Sequence, residues 1–337
     1  MDWFERLTGF REESYAATRA KLKVEGRHLH SLVNGKSYGI GQFELPSLRT
    51  LRERAASRTG MPGRLKVSVV TGDVREMHQA PEYAGALVQV ASQFNVLEMT
   101  GPNASPEEGV TRYVHDRTQG PACAIAAGAA TIYRNYFLPV AGESGQTSTR
   151  QIDGLAEVGR ALSAALGRSV DTLWQMHNGY ALCHQTGLDA ISAYLAKLGP
   201  DDLDALREHL RIGVQTDVEV TDAPGERRPI VSQAFCSALP VAYSQVHGRY
   251  WQAFASLVLE AAYEATMWSA VLNAMRGISN VVLLTFLGGG AFGNDDEWIL
   301  SAMRRGFEQV SAFDLDARIV CYRAPPRTVL TLVEDFG

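Results

Sequence analysis

Residues 281–294, VVLLTFLGGGAFGN, carry the residue types that hold a phosphate. An apolar, β-branched run, Val281 to Leu287, leads into Gly288-Gly289-Gly290 and then Ala291-Phe292-Gly293-Asn294. A helical pattern follows from about Glu297, with Trp298, Ile299, Met303 and Phe307 spaced for one buried face. Strand, glycine loop, helix is the order in which backbone N–H groups and a helix N-terminus cradle an anion. Side chains would hold the anion away from those amides, so glycine serves reach as well as unusual φ/ψ. Taken alone, the loop fits a phosphate cradle and an unliganded βα turn equally well.

Other chemistries find less support. There is no GxSxG elbow, and none of the eight histidines sits in a recognisable catalytic motif. Cys123 lies between alanines and Cys236 follows Phe235, the setting of buried structural thiols. His28 and His30 share a strand face but lack a third ligand, so no metal site is expected. The glycine cluster lies near the end of the chain, with no βαβ unit and acidic residue after it. That argues against a dinucleotide-dependent dehydrogenase, and no cofactor is expected.

The elements around the loop narrow the reading. A long helical stretch runs from Trp251 to Met275, Gly277 turns the chain into the glycine-loop strand, and residues 317–322 read as a closing strand. Upstream, Leu65 to Val70 is a strand pattern ending in Thr71-Gly72-Asp73-Val74. A first strand ending in Gly-Asp-Val and a late strand ending in Gly-Gly-Ala-Phe-Gly together resemble the macro domain, a fold that binds ADP-ribose. The resemblance implies a three-layer α/β/α fold with a mixed sheet. It implies that Asp73, with Val74 beside it, takes the adenine amino group. The loop of Gly288, Gly289, Gly290, Ala291, Phe292, Gly293 and Asn294 would wrap the diphosphate, with Phe292 against the distal ribose. Asn95 matches an asparagine that touches that ribose. The family's paired asparagine and following Gly-Gly-Gly are absent, and Thr118-Gln119-Gly120-Pro121 is the replacement loop, with Gly120 as its ligand-facing glycine. The small-residue stretch Ala122 to Ala130 then reads as one helix able to approach a ligand or another backbone closely.

Hydrolysis at a ribosyl carbon passes through an oxocarbenium-like state, which a carboxylate stabilises while activating water. Glu98 and Asp116 are the candidate bases, and Gln119 the candidate for orienting water or a ribose hydroxyl. The function expected is binding of ADP-ribose or a related NAD-derived nucleotide, with hydrolysis of its ribosyl linkage. The alternatives are a non-catalytic ADP-ribose-binding module and a biosynthetic enzyme acting on an NAD-derived metabolite.

Composition agrees with this outline. Hydrophobic residues at 46% and charged residues at 20% are those of an ordinary soluble globular protein. A net charge of −5 opposes a nonspecific grip on nucleic acid, which enters only as a modified substrate. Widely spaced cysteines and no signal peptide point to a reducing, cytoplasmic setting. Glu260 and Glu264 interrupt the most apolar stretch, so no membrane span is expected; Glu264 needs a partner, an arginine from the N-terminal region being the candidate. Residues 1–64 read as a helical and loop-rich extension packed on the core, with a short helix Leu48 to Ala56 capped by Ser47. Residues 65–337 form the α/β domain, interrupted by a helical insertion at about 155–210. The strand in residues 230–243 is expected beside the glycine-loop strand.

If Asp73 reads the base, Asp73→Ala removes a hydrogen bond to a charged group, worth roughly 1.5–3 kcal/mol. Calorimetric titration with ADP-ribose should then give an affinity about 10- to 150-fold weaker. Binding within about twofold of the parent protein would rule the role out.

Overall fold

Period-two alternation in four apolar runs dictates a sheet buried on both faces. Leu87, Ala234, Cys236, Val282, Leu284, Ala317 and Ile319 enter one core, while Val88, Val90, Phe235 and Leu283 enter a second on the opposite side. The computed structural model describes residues 1–57, 62–225 and 227–336. Its central sheet has seven strands: β1 (Gln42–Glu44), β2 (Lys66–Thr71), β3 (Leu87–Ala91), β4 (Gly213–Glu219), β5 (Ile230–Cys236), β6 (Val281–Leu284) and β7 (Asp316–Cys321). They lie in the order β1-β4-β5-β3-β6-β7-β2. From β5 to β2 every neighbour is parallel, and β4 runs antiparallel to β5 and to β1. Helices cover both faces, which is the expected three-layer α/β/α arrangement with a mixed sheet.

One layer is built on helix Gln252–Met275. Phe254, Leu257, Val258, Ala261, Ala262, Ala265 and Val271 are all buried, and apolar residues surround its axis, as a helix sunk in a core requires. Helices Leu48–Ala56, Gln185–Leu195, Pro200–Arg207 and Asp296–Gln309 pack around it. The other layer holds Val74–Gln79, Gln119–Ala126 and Gly128–Tyr136. Among the described residues no helix is long and apolar enough to cross a membrane.

Glu264, fully buried on the long helix, finds the N-terminal arginine it needs in Arg52, whose Nη2 lies 2.6 Å from Oε1. Arg305 Nη2 stands 3.2 Å from Oε2, and Trp268 Nε1 donates at 3.1 Å. Arg52 also holds Asp204 at 2.7 Å and Glu208 at 3.1 Å, so one guanidinium joins the N-terminal segment, the insertion and the long helix. Glu260 pairs with Arg207 at 2.6 Å.

Several elements depart from expectation. The N-terminal segment is less helical than expected: Leu22–Glu25, His28–Ser31 and Ser37–Gly39 form an antiparallel sheet, and Gln42–Glu44 extends the central one. Helix Leu48–Ala56 forms as expected, with Ser47 Oγ accepting from Thr50 N. The 168–210 stretch includes an antiparallel hairpin, Trp174–His177 with Tyr180–Cys183, turning at Asn178 (φ 45°) and Gly179 (φ 81°). Asn-Gly is the dipeptide for such a turn, and the helical reading passed over it. The small-residue stretch breaks at Ala127 (ψ 52°) into two helices. Strand β5 pairs with β3, which separates it from the glycine-loop strand β6.

Arg52→Ala would leave the fully buried Glu264 with Arg305 and Trp268 as its partners among the described residues. Breaking a buried pair typically costs about 3–5 kcal/mol, and the remaining partners place this one near 3 kcal/mol. A urea unfolding curve should show that loss as a lower midpoint with an unchanged slope.

Candidate functional site

Parallel strands aim their C-terminal ends at one edge of the sheet, where open α/β folds place ligands. Two cavities lie along that edge. The first, about 240 Å³, sits beyond β3 and β6 and is lined by Ser92, Gln93, Asp116, Tyr180, Tyr243 and Phe292, among others. The second, about 620 Å³, sits beyond β2 and β7 and includes Asp73, Val74, Arg117, Tyr322 and Arg323 in its wall. Thr118, Gln119, Thr285 and Phe286 line both, so the two form one continuous groove.

The groove opens because β3 and β6 part company. They pair only through Leu87, Val88, Val282 and Leu283. Beyond that point side chains replace the lost ladder. Gln119 Oε1 accepts from Ala91 N and its Nε2 donates to Gln89 O, each at 2.8 Å. On the β6 side, Gln89 Oε1 accepts from Thr285 N at 3.2 Å. The buried Tyr263 hydroxyl donates to Thr285 O at 2.6 Å and accepts from Leu287 N at 2.9 Å.

The glycine loop leaves from this clamp. Gly288 has φ +77°, and a Cβ there would lie 2.4 Å from Ala238 Cβ, so only glycine fits. Asn294 is buried and closes the loop from below: its N donates to Gly288 O at 2.9 Å and its Nδ2 to Leu239 O at 2.9 Å. Gly293 N donates to Gly290 O at 3.1 Å. Among the described residues the amides of Gly288, Gly290, Ala291 and Phe292 have no protein acceptor, and all four residues line the first cavity. Gly289, Gly293 and Asn294 do not line it; they shape the loop instead. Gly290 is under no such constraint: its φ is not in the left-handed region and its Cβ position meets nothing within 4 Å. Phe292 packs against Tyr180 and Tyr243, with ring centroids 5.2 and 5.6 Å away, and forms an aromatic end wall.

The candidate carboxylates separate clearly. Asp116 lines the first cavity, where its Oδ1 accepts from Thr118 N at 2.8 Å and Thr118 Oγ1 at 2.7 Å; no hydrogen bond to Oδ2 is formed among the described residues. Asp73 lines the second, its Oδ1 capping the following helix at Arg75 N, 2.8 Å away. Glu98 does not reach the groove. It is buried against Arg134, with Nη2 at 2.9 and 3.1 Å from its two oxygens, and burial pushes its carboxyl up while Arg134 opposes the shift. The expectation of a base at Glu98 therefore gives way to a closed internal pair.

Asn95 is likewise internal, bonded to Gln151 Oε1 at 2.9 Å and to Leu97 N at 3.1 Å. Together with Arg134, whose Nε donates to Val96 O at 3.0 Å, it fixes a turn in which Val96 has φ +58°. A β-branched residue there costs of order 1–3 kcal/mol and persists only when its surroundings over-determine it. The turn delivers Ser92, Gln93 and Met99 to the cavity. Gln119 lines the groove with its amide oxygen and nitrogen each bonded to β3, which fixes the amide and leaves one N–H and one lone pair beyond those bonds. Gly120 packs under the strand, where a Cβ would meet Ala91 O at 1.9 Å; it is a glycine of close packing and does not face the ligand groove.

Sequence reading missed Tyr180, Tyr243, Gln93, Tyr322, Arg117 and Arg323. Asn178-Gly179 signalled the hairpin that carries Tyr180; nothing local marked the others. Cys123 and Cys236 are buried thiols, the latter pushed up to about 11 by burial. Among the described residues no three His, Cys, Asp or Glu side chains gather as metal ligands.

In comparison with solved structures, the chain is similar to poly(ADP-ribose) glycohydrolase from Deinococcus radiodurans in complex with ADP-ribose, at 12% identity over 97% of each chain, with a TM-score of 0.44. It is similar also to poly(ADP-ribose) glycohydrolase from Thermomonospora curvata, at 13% identity over 96% of this chain and 98% of that one, with a TM-score of 0.41. No protein-family model matches the sequence, and no curated protein matches it.

Two loop variants separate folding from ligand approach. Gly288→Val should lower stability by at least about 1–3 kcal/mol, because strain and a collision with Ala238 act together. Gly290→Val should melt like the parent protein and yet lose nucleotide binding, since its side chain projects into open space beside the free amides. Normal binding by Gly290→Val would reduce the loop to a turn.

Proposed function

We propose that this protein binds ADP-ribose or a related NAD-derived nucleotide along the groove and hydrolyses its ribosyl linkage. One observation carries the reading: two adjoining cavities flank a glycine loop with four unpartnered amides, and a capping aspartate stands at the far end. Amides without acceptors on a loop beside a groove suit the oxygens of a diphosphate. In this reading Asp73 takes an exocyclic amine of the base, and Tyr322, 74% exposed and lining the same cavity, offers a ring face to it. The distal ribose would then enter the smaller cavity, against Phe292, Tyr180 and Tyr243.

Asp116 is the base in this scheme, as the one carboxylate lining that cavity among the described residues. Water's oxygen bonds to the anomeric carbon, its proton passes to Asp116, and the bond to the leaving group breaks, the departing atom keeping the electron pair and taking a proton from solvent. Oδ1 is held by Thr118, leaving Oδ2 for the water. Oriented in this way, a general base contributes about 10²- to 10⁴-fold to the rate.

A second reading, a non-catalytic ADP-ribose-binding module, is favoured by a specific observation. Glu98 is consumed by its internal pair with Arg134, so among the described residues one candidate carboxylate, Asp116, is left to do the chemistry. Asp116→Asn separates the two readings. For a hydrolase, turnover of an ADP-ribosyl conjugate should fall at least 100-fold while ADP-ribose affinity changes by less than about threefold. A parent protein that binds ADP-ribose and turns over no conjugate supports the binding module.

A further inference from the structure

The end of the groove beside Asp73 is the wider one, and it carries two arginines. Its cavity, about 620 Å³, exceeds the distal one by more than twofold. Two arginines line it, Arg117 from the segment before helix Gln119–Ala126 and Arg323 from the segment after β7. Both are exposed, and among the described residues neither makes a hydrogen bond or an ion pair. Arg75, beside the same cavity, is locked to Asp222 at 2.6 Å, and Arg52, Arg134, Arg207 and Arg211 each answer a carboxylate.

The same wall carries two carboxylates, and both are engaged at helix starts. Asp73 caps helix Val74–Gln79 and Asp296 opens helix Asp296–Gln309, so each stands against the positive end of a helix dipole. The two guanidiniums have no such counterpart. A planar, permanently charged fork with unspent donors is the group that receives a phosphate in two-pronged fashion. The four amides that suit the diphosphate lie on the other side of Thr285 and Phe286, which leaves the arginines for a different anion.

We infer that the wide end of the groove holds a further phosphate on the adenosine ribose, so that the ligand is a 2′-phosphorylated ADP-ribose of NADP origin. The inference rests on the nucleotide reading given above. Arg323 and Arg117 are the phosphate-binding pair, and Tyr322, next in the chain to Arg323, supports the base between them and Asp73.

The test is calorimetric titration of the full chain with ADP-ribose and with 2′-phospho-ADP-ribose in the same buffer. The phosphorylated ligand should bind at least about tenfold more tightly, the increment of charge-assisted hydrogen bonds to one added phosphate. The advantage should shrink as salt rises. Arg323→Ala and Arg117→Ala together should bring the two affinities within about twofold of each other. Equal affinities in the parent protein, or a preference that survives the double substitution, would overturn the inference and leave the nucleotide reading standing. If neither ligand binds, both readings fall.

Discussion

The separation of β3 from β6 is the event on which the rest of the groove depends. Backbone donors and acceptors exposed by a widening sheet must be satisfied, because an unpaired buried amide or carbonyl costs about as much as a lost hydrogen bond. Here three polar side chains meet that demand. Gln119 closes the end of β3, and Gln89 with Tyr263 holds the start of the loop after β6. The gap is thereby fixed open, with a floor that is both rigid and saturated. Just beyond β6, the amides of Gly288, Gly290, Ala291 and Phe292 have no acceptor among the described residues, and they are where an anion can act.

Rigidity beneath the groove has a second source in the turn after β3. Val96 sits in a backbone region that disfavours branched residues, and Arg134, Glu98, Asn95 and Gln146 surround it with bonds. Arg134 also stacks on Phe235, its guanidinium carbon 3.9 Å from the ring centroid. Such a network is worth having only when complete, since a half-satisfied buried charge is more costly than none. Completing it removes Glu98 from chemistry. The carboxylate that remains in the cavity, Asp116, belongs to a segment held partly by the N-terminal region: Glu12 accepts from Val110 N and Thr111 N at 2.9 and 2.7 Å.

The insertion and the N-terminal segment are therefore structural parts of the site. The hairpin brings Tyr180 to the aromatic wall, where its hydroxyl donates to Met99 O at 2.8 Å and ties the insertion to the turn after β3. Arg52 joins the N-terminal helix to the insertion and the long helix around a buried Glu264. These contacts bridge residues more than 80 positions apart, and they restrict how far the groove's walls can move independently.

Local patterning alone determined a good deal of this. The alternation of the core strands, the glycine loop with its following helix, the all-round apolarity of residues 252–275 and the Ser47 cap are each set by neighbours in the chain, so they are legible there. The need of Glu264 for a cation was legible too, because a charge on so apolar a helix has few other outcomes. Tertiary structure alone decided which polar residues were free. Glu98 and Asn95 have the right types and stand near the right strand, yet each is consumed by a partner: Arg134 and Gln151. Tyr243, Tyr322 and Arg323 carry no local mark, and only the strand order sets them around the groove. A residue's type gives the chemistry it can perform. Whether its hydrogen-bonding capacity is already spent depends on contacts distant in sequence, and those exist only once the chain has folded.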